Sequence, residues 1–288
     1  GSANLPMAVA CAYLDSSAIF VLTGNVPAQQ FNRGAFQESY RHYQGEFPNV
    51  LRPYVKRAYQ PTRVDMLPIA LRDGFREMLN GRPGPVNIDI PLNVFTEEAK
   101  VEIPEPASWR WNLHNDPAGN PEAVEQALEL LLHAERPMIL AGNGIVTAGG
   151  APELKQLAER LSIPVATTPM AKGALPDGHP LALGPVGRNG SYQANQAARE
   201  CDVLLALGHR FDDRASSAWL PGATYNIPPT KLVQVDIDPE ELGRNYPATV
   251  GILADARQVV RQMLASLEAK GTQSRAALEW GQRIAEWK

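Results

Sequence analysis

Short apolar runs alternate with helix-like segments along the second half of the chain, and this alternation constrains the fold most strongly. The runs have the length and composition of buried strands and lie at residues 138–141, 164–168, 203–207, 232–236 and 250–253. The segments with helical spacing lie at 121–134, 152–161, 192–199 and 256–269. Strands that alternate with helices predict a parallel sheet covered on both faces. We therefore expect an α/β fold with a doubly wound sheet.

Charged and polar residues crowd the carboxyl ends of these runs. The run at 203–207 leads into Gly208-His209-Arg210-Phe211-Asp212-Asp213-Arg214, and the next run ends in Asp236. Ligands of open parallel sheets bind at the carboxyl ends of the strands. An arginine suits a phosphate, and an acid just past a strand suits a ribose hydroxyl. We expect Arg210 and Asp236 to face one crevice, although such charges also form solvated loops and surface ion pairs.

Weaker signals at other strand ends agree with an extended ligand such as a dinucleotide. Gly142-Asn143-Gly144 would let the backbone approach a diphosphate. It lacks the full Gly-x-Gly-x-x-Gly spacing, however, and it suits a plain tight turn equally well. Thr168, Asn189 and Asp255 also lie near the ends of strands or before helices. Asp255 is in addition placed to cap the helix that follows it.

The first 120 residues are less regular. Their pattern predicts a helix at 6–14, a strand at 18–23, an irregular stretch at 28–64, a helix at 65–80 with Asp65 as its cap, and a strand at 86–91. A βα turn at residues 1–4 with no strand before it indicates that the sequence begins inside a domain.

Composition argues against several functional classes. A net charge of −4 gives no basic field for nucleic acid. No apolar run approaches the roughly 18 residues of a membrane helix, and no secretion leader is recognisable. The two cysteines, Cys11 and Cys201, predict reduced core thiols in a cytoplasmic protein. The histidines show no zinc-ligand spacing, so we expect no metal site built by this chain alone.

Several segments, taken together and in order, resemble the thiamine-diphosphate-dependent enzymes of the acetolactate synthase (acetohydroxyacid synthase) large-subunit type. They are Gly1-Ser2-Ala3-Asn4, Asp15, Thr23-Gly24-Asn25-Val26-Pro27, Ala35-Phe36-Gln37-Glu38, Gly81-Arg82-Pro83-Gly84-Pro85, Asp89-Ile90-Pro91, Arg210-Phe211-Asp212-Asp213-Arg214 and Asp236-Ile237-Asp238-Pro239. The resemblance runs along nearly the whole chain. It implies an incomplete α/β pyrimidine-binding domain followed by a Rossmann-like central domain.

The resemblance also implies domain boundaries. Residues 1–97 would be the C-terminal part of the pyrimidine-binding domain, 98–120 a linker, 121–272 the central FAD-binding-type domain, and 273–288 a helix leading to a diphosphate-binding domain. The family's activating glutamate lies upstream of the Gly-Ser-Ala-Asn turn, and its Gly-Asp-Gly motif for diphosphate and magnesium does not occur in this sequence. We therefore expect the chain alone to be inactive.

The resemblance assigns roles to individual residues as well. Asn4 would contact the pyrimidine end of thiamine diphosphate, and Phe36 and Gln37 would line the active site. The residues alone equally suit Phe36 as a core residue with solvated neighbours. In members that bind FAD in a structural role, Arg214 would reach toward the substrate. The contacts of FAD would be Arg82, Gly142, Asn143, Gly144, Thr168, Asn189, Arg210, Asp236 and Asp255.

The activity that the resemblance implies is decarboxylation of a 2-oxo acid and carboligation, as in the formation of 2-acetolactate from pyruvate for branched-chain amino acid biosynthesis. The enzyme would use thiamine diphosphate with Mg²⁺, form a homodimer or homotetramer, and have no nucleic-acid or membrane partner. Leu92 stands where the synthases usually have lysine, and Asn189 replaces the histidine of the flavin loop. These departures leave open a related carboligase, decarboxylase or hydrolase, and a non-catalytic FAD- or ADP-binding module. A third alternative, an NAD-dependent deacylase, would need His209 to face the nicotinamide.

Overall fold

The computed structural model describes residues 1–35, 47–108, 116–271 and 278–288. The chain divides into two units, Gly1–Asn115 and Asp116–Lys288. Within these described residues, each unit has a parallel sheet flanked by helices, with three strands in the first and six in the second. The predicted α/β class with parallel sheets is confirmed.

The first unit has the strand order β1-β3-β2. Its strands are β1 (Phe20–Asn25), β2 (Arg57–Tyr59) and β3 (Val86–Pro91), and its helices are α1 (Pro6–Leu14), α2 (Pro48–Leu51), α3 (Leu67–Leu79) and α4 (Leu92–Thr96). One face of the sheet forms a core in which Ile88 and Ile90 lie with residues of α3 and α4. On the other face, Val21 lies in a core with Val9 of α1 and Leu51 of α2.

The sequence predicted this unit unevenly. The helix at 6–14 and the strand at 86–91 are confirmed, whereas β1 lies two residues later than expected and β2 falls within the stretch read as irregular. Asp65 does not cap α3. The N-cap is Met66, and the Asp65 carboxylate instead forms an ion pair with Arg63 at 2.8 Å, because a 3₁₀ turn over Val64–Met66 separates it from the helix start.

The described part of the second unit forms a sheet of six parallel strands in the order β6-β5-β4-β7-β8-β9. The strands are β4 (Pro137–Ala141), β5 (Val165–Thr167), β6 (Ala182–Pro185), β7 (Val203–Leu207), β8 (Lys231–Asp236) and β9 (Val250–Leu253). The helices are α5 (Pro121–Leu132), α6 (Asn143–Thr147), α7 (Ala151–Leu161), α8 (Tyr192–Glu200), α9 (Ala256–Lys270) and α10 (Leu278–Trp287). The order runs outward in both directions from the β4–β7 pair, which is the Rossmann arrangement.

Both faces of this sheet are covered, as the sequence predicted. Leu205 and Val233 lie in a core built with α5, α7 and α9. Met138 and Leu204 lie in the opposite core, which includes residues of α8 and α10. Strand β6 was not predicted, because Gly184, with φ of +84°, interrupts its short apolar run. Its pairing with β5 is also irregular and contains a register shift.

The two cysteines differ in burial. Cys201 is buried, and desolvation raises the pKa of its thiol to about 12. Cys11 is exposed on α1, so the prediction of a core thiol is wrong for this residue. Its helix is apolar on every side, and one helix cannot turn all sides toward a core. Within the described ranges, no helix is long and apolar enough to cross a membrane.

Candidate functional site

The carboxyl edge of the six-stranded sheet collects the predicted ligand groups of the second unit. In the order of the strands across the sheet, these groups are Asn189, Thr168, Gly142 to Gly144, Arg210, Asp236 and Asp255. Parallel strands lie about 4.8 Å apart, so six strand ends extend over about 24 Å. Because Leu207 pairs with Val235, Arg210 and Asp236 lie at the carboxyl ends of two adjacent strands; that their side chains face one crevice stays a prediction. This edge is therefore long enough to hold an extended ligand such as a dinucleotide.

The strand order reverses between β4 and β7, which is where sheets of this type open a crevice. The two loops at this point pack closely. The amide of Gly142 donates to the Leu207 carbonyl at 2.9 Å, and the amide of Gly144 donates to the Gly208 carbonyl at 3.0 Å. A Cβ atom on Gly142 would lie 2.1 Å from the Gly208 oxygen. Loop packing therefore explains these glycines, and a role toward a diphosphate stays a prediction.

A second pair of loops meets beside this crevice. The amide of Arg188 donates to the Arg214 carbonyl at 2.9 Å, and a Cβ atom on Gly187 would lie 2.2 Å from that same oxygen. The loop that carries Asn189 is thus held against the loop that carries Arg214. Asn189 and Arg214 are both exposed, whereas Arg210 is half-buried. The edge therefore presents one partly desolvated guanidinium and a more solvated polar rim.

Three predicted contacts at this edge are buried. The Thr168 amide donates to the Ala141 carbonyl at 2.9 Å and ties the end of β5 to β4. The Asp236 carboxylate accepts from the Asp238 amide at 3.0 Å. Asp255 caps α9, as predicted, by accepting from the Gln258 amide at 3.0 Å. Burial raises the pKa of Asp255, and the hydrogen bond from the helix opposes that rise.

His209 turns into the protein and away from solvent. The residue is only 3% exposed, its Nε2 atom has no hydrogen-bond partner among the described residues, and the centre of its ring lies 4.5 Å from that of Phe211. Desolvation lowers its pKa to about 4; the charge of Arg210 acts in the same direction, and that of Asp212 opposes it. The imidazole is therefore neutral at pH 7. A buried ring gives no support to the alternative in which His209 faces a nicotinamide.

The predicted site residues of the first unit do not belong to this sheet edge. The Arg82 Nε atom donates to Ser16 Oγ at 2.9 Å, and its Nη2 atom donates to the Tyr13 and Leu14 carbonyls at 3.3 Å. These bonds satisfy the C-terminal carbonyl groups of α1. Asn4 is exposed in the 3₁₀ turn Ser2–Asn4. The two residues predicted to line the active site, Phe36 and Gln37, lie outside the described residues.

Sequence reasoning missed a buried carboxylate in the first unit. Asp89, fully buried in β3, accepts from Thr23 Oγ1 at 2.7 Å, from Asn25 Nδ2 at 2.7 Å and from Gln60 Nε2 at 2.9 Å. The Asn25 Oδ1 atom in turn accepts from the Val26 amide at 2.8 Å. This network fixes the carboxyl end of β1. A signal for it was present in the polar residues at every second position of Val86-Asn87-Ile88-Asp89.

Among the described residues, no group of three or more His, Cys, Asp or Glu side chains could hold a metal ion. The candidate site contains the guanidinium of Arg210, the hydroxyl of Thr168 and the carboxylates of Asp236 and Asp255 at the carboxyl edge of the sheet.

Comparison with known proteins identifies the class to which this fold belongs. Residues 124–263 match the family model of the thiamine pyrophosphate enzyme, central domain. This match falls on the six-stranded sheet and its carboxyl edge. The second unit of this chain therefore contains the central domain of the thiamine pyrophosphate enzymes.

Within this class the chain is similar along its whole length to acetolactate synthase large subunits. It is 39% identical over 290 residues to the probable acetolactate synthase large subunit of Methanocaldococcus jannaschii, an alignment that covers 100% of this chain and 47% of the relative. It is 37% identical over 287 residues to the isozyme 1 large subunit of Escherichia coli (strain K12), covering 99% and 47%, and 32% identical over 294 residues to the isozyme 3 large subunit, covering 100% and 49%. The chain spans about half the length of these relatives.

Proposed function

We propose that this chain is part of a thiamine-diphosphate-dependent carboligase that forms 2-acetolactate from pyruvate. The observation that carries the proposal is the similarity to acetolactate synthase large subunits across both units, and not across the central domain alone. The second candidate is a related decarboxylase or hydrolase, because two residues depart from the pattern of the synthases. These residues are Leu92, which is exposed at the start of α4, and Asn189. The enzyme we propose is a cytoplasmic homo-oligomer that uses Mg²⁺ with its thiamine cofactor.

In this proposal residues 1–97 contribute to the pyrimidine side of the thiamine site, through Asn4, Phe36 and Gln37. Thiamine diphosphate supplies the stabilised carbanion, and the protein binds and orients the reactants. The described part of the first unit offers one element suited to that task. The buried Asp89 network fixes the backbone at Val26, ten residues before Phe36 in the sequence. Residues 98–120 act as the linker, 121–272 as the central domain, and 273–288 as a helix toward a further domain.

We further propose that the central domain binds FAD, or another adenine nucleotide, without redox chemistry. The donor set at the sheet edge fits such a ligand: Arg210 suits a phosphate, Thr168 a polar contact, and Asp236 a ribose hydroxyl. Arg82 suits this ligand less well, because its guanidinium already caps the C-terminal carbonyl groups of α1. A module that holds ADP or FAD without catalysis is the corresponding alternative for the chain alone.

An acetolactate assay tests the proposed reaction. We expect the enzyme encoded by the complete reading frame to convert pyruvate to acetolactate when thiamine diphosphate and Mg²⁺ are supplied. We expect the purified 288-residue chain to form none, since its sequence contains no Gly-Asp-Gly motif. Release of free aldehyde by the complete enzyme, or hydrolysis of a different substrate, would favour the second candidate.

Flavin binding is tested separately, on the chain itself. The purified chain should acquire visible flavin absorbance with FAD and lose it in Arg210→Ala. Arg160→Ala, which removes an exposed arginine near the end of α7, serves as the matched control and should leave binding unchanged. A colourless wild-type chain that also ignores ADP would refute the nucleotide site.

A further inference from the structure

The loop after β7 contains an unusual run of backbone conformations. Ser217, Ala218 and Trp219 have consecutive φ angles of +49°, +56° and +55°, and Phe211 in the same loop has +55°. The left-handed region costs roughly 1–2 kcal/mol for a residue other than glycine. Such conformations persist only where their surroundings enforce them, and they cluster at ligand clamps and active sites.

Hydrogen bonds hold this loop in its strained form. The Ala218 amide donates to the Asp213 carbonyl at 2.7 Å, and the hydroxyl groups of Ser217 and Thr224 lie 2.7 Å apart. The indole Nε1 of Trp219 donates to the Phe211 carbonyl at 2.8 Å. The orientation of the indole is therefore set before any ligand arrives.

The indole is nevertheless open to solvent. Trp219 is 45% exposed and the following Leu220 is 61% exposed. A tryptophan that only filled a core would be largely buried, whereas here the polar atom is anchored to the protein and much of the ring surface stays free.

The position of the ring connects it to the candidate site. The carbonyl that receives the indole hydrogen bond belongs to Phe211, the residue next to Arg210, at the carboxyl edge of β7. The loop that carries Trp219 also contains Arg214, whose carbonyl binds the Arg188 amide of the neighbouring loop. The indole is thus anchored one residue along the chain from Arg210, on the loop that follows the carboxyl end of β7.

We propose that Trp219 is the stacking surface for the planar ring of the nucleotide whose phosphate Arg210 binds. The inference rests on the proposed nucleotide site and adds a residue that recognises its ring system. The ligand chemistry is a flat heteroaromatic ring attached to a phosphate, which both an isoalloxazine and an adenine provide. An indole fixed by its own hydrogen bond stacks with little loss of conformational entropy, because it has only two side-chain torsions to restrain.

The test compares two tryptophans at opposite edges of the sheet. Trp219→Leu removes the proposed stacking surface and Trp219→Phe retains an aromatic ring. Trp287→Leu makes the same change on α10, where Trp287 packs 5.7 Å from Trp280, whose indole binds the carbonyl of Pro137 at the amino end of β4. Calorimetric titration with FAD, FMN and ADP gives the dissociation constants, and thermal melting shows that each variant is folded.

We expect Trp219→Leu to weaken binding by on the order of ten- to a hundred-fold, the range for loss of one aromatic stacking partner. Trp219→Phe should restore most of the affinity, and Trp287→Leu should bind as the wild type does. The ring system is identified by which ligand loses affinity: FAD and FMN indicate isoalloxazine, and FAD and ADP indicate adenine. Tryptophan fluorescence gives a second measurement, because its change on ligand addition should vanish in Trp219→Phe and persist in Trp287→Leu.

The results that overturn the inference are distinct from those that overturn the nucleotide site. Wild-type affinity in Trp219→Leu, with affinity lost in Arg210→Ala, would refute stacking and leave the nucleotide site intact. A wild-type chain that binds none of the three ligands would refute both.

Discussion

The contact between the loops after β4 and β7 permits a sharp test of the fold, the replacement Gly142→Ala. The new Cβ atom would lie 2.1 Å from the Gly208 oxygen and 2.8 Å from the Cα atom of His209, and both are backbone atoms that cannot rotate away. Relief of the clash requires a shift of about 1 Å, since Cβ contacts shorter than 3.0 Å are essentially never seen. Such a shift would disturb the two hydrogen bonds that join these loops, Gly142 to Leu207 and Gly144 to Gly208.

The expected loss of stability in Gly142→Ala has two sources, the steric clash and the weakened hydrogen bonds. Overpacking costs roughly 1–3 kcal/mol, and each weakened hydrogen bond costs about 1 kcal/mol. Together they predict a loss of about 3–5 kcal/mol, which lowers the melting temperature of a unit of this size by roughly 6–20 °C.

Gly251→Ala is the matched control, because Gly251 also lies outside the left-handed region and a Cβ atom there would meet nothing within 4 Å. The control should melt at the wild-type temperature or slightly above it, since alanine is favoured over glycine in a strand by about 0.5–1 kcal/mol. Differential scanning calorimetry measures both variants. If Gly142→Ala melts no lower than Gly251→Ala, the proposed packing of the two loops is wrong.

Three further predictions concern groups with defined environments. The neutral form of His209 should contribute up to about 3 kcal/mol to the free energy of unfolding above pH 6.5. This contribution should disappear as the pH falls toward 4, because the unfolded chain takes up the proton at a higher pH than the folded protein does. His209→Leu should flatten this part of the pH dependence in urea melts, and an unchanged slope would contradict the assignment. Ser162→Gly should stabilise the chain by about 0.5–1 kcal/mol, because Ser162 ends α7 with φ of +53°; equal or lower stability would count against backbone strain at this position. Asp255→Ala should destabilise the chain by about 1 kcal/mol through loss of the cap on α9. Asp255→Asn keeps an acceptor oxygen and should restore most of that loss. Equal stability of the wild type and both variants would exclude a capping role.

The sheet of the second unit was largely predictable because its strands are buried on both faces. Such strands are nearly continuous apolar runs, so β7 was placed to the residue. The edge strand β9 was also placed to the residue, although its buried and exposed residues alternate. The two strands that were missed break this rule. Strand β2 has three residues, one of them exposed, and β6 contains a glycine with a positive φ.

The location of the candidate site followed from the same regularity. Residues at the carboxyl ends of parallel strands necessarily share an edge, which is why Thr168, Arg210 and Asp236 could be grouped from sequence alone. Their partners could not be predicted in this way. The bonds of Arg82 to α1 and the burial of His209 depend on neighbours that are distant in sequence. The strained turn at Trp219 left no mark in the sequence, because Ser, Ala and Trp have no preference for the left-handed region.

The last helix has a consequence for anyone who trims this protein to its second unit. Trp280 and Ile284 of α10 belong to the same apolar cluster as Met138 and Leu204, and the Trp280 indole binds the Pro137 carbonyl. A version cut after Gly271 would expose that apolar surface to water while leaving the opposite face of the sheet intact. We expect such a truncation to self-associate, so a shortened version should retain α10.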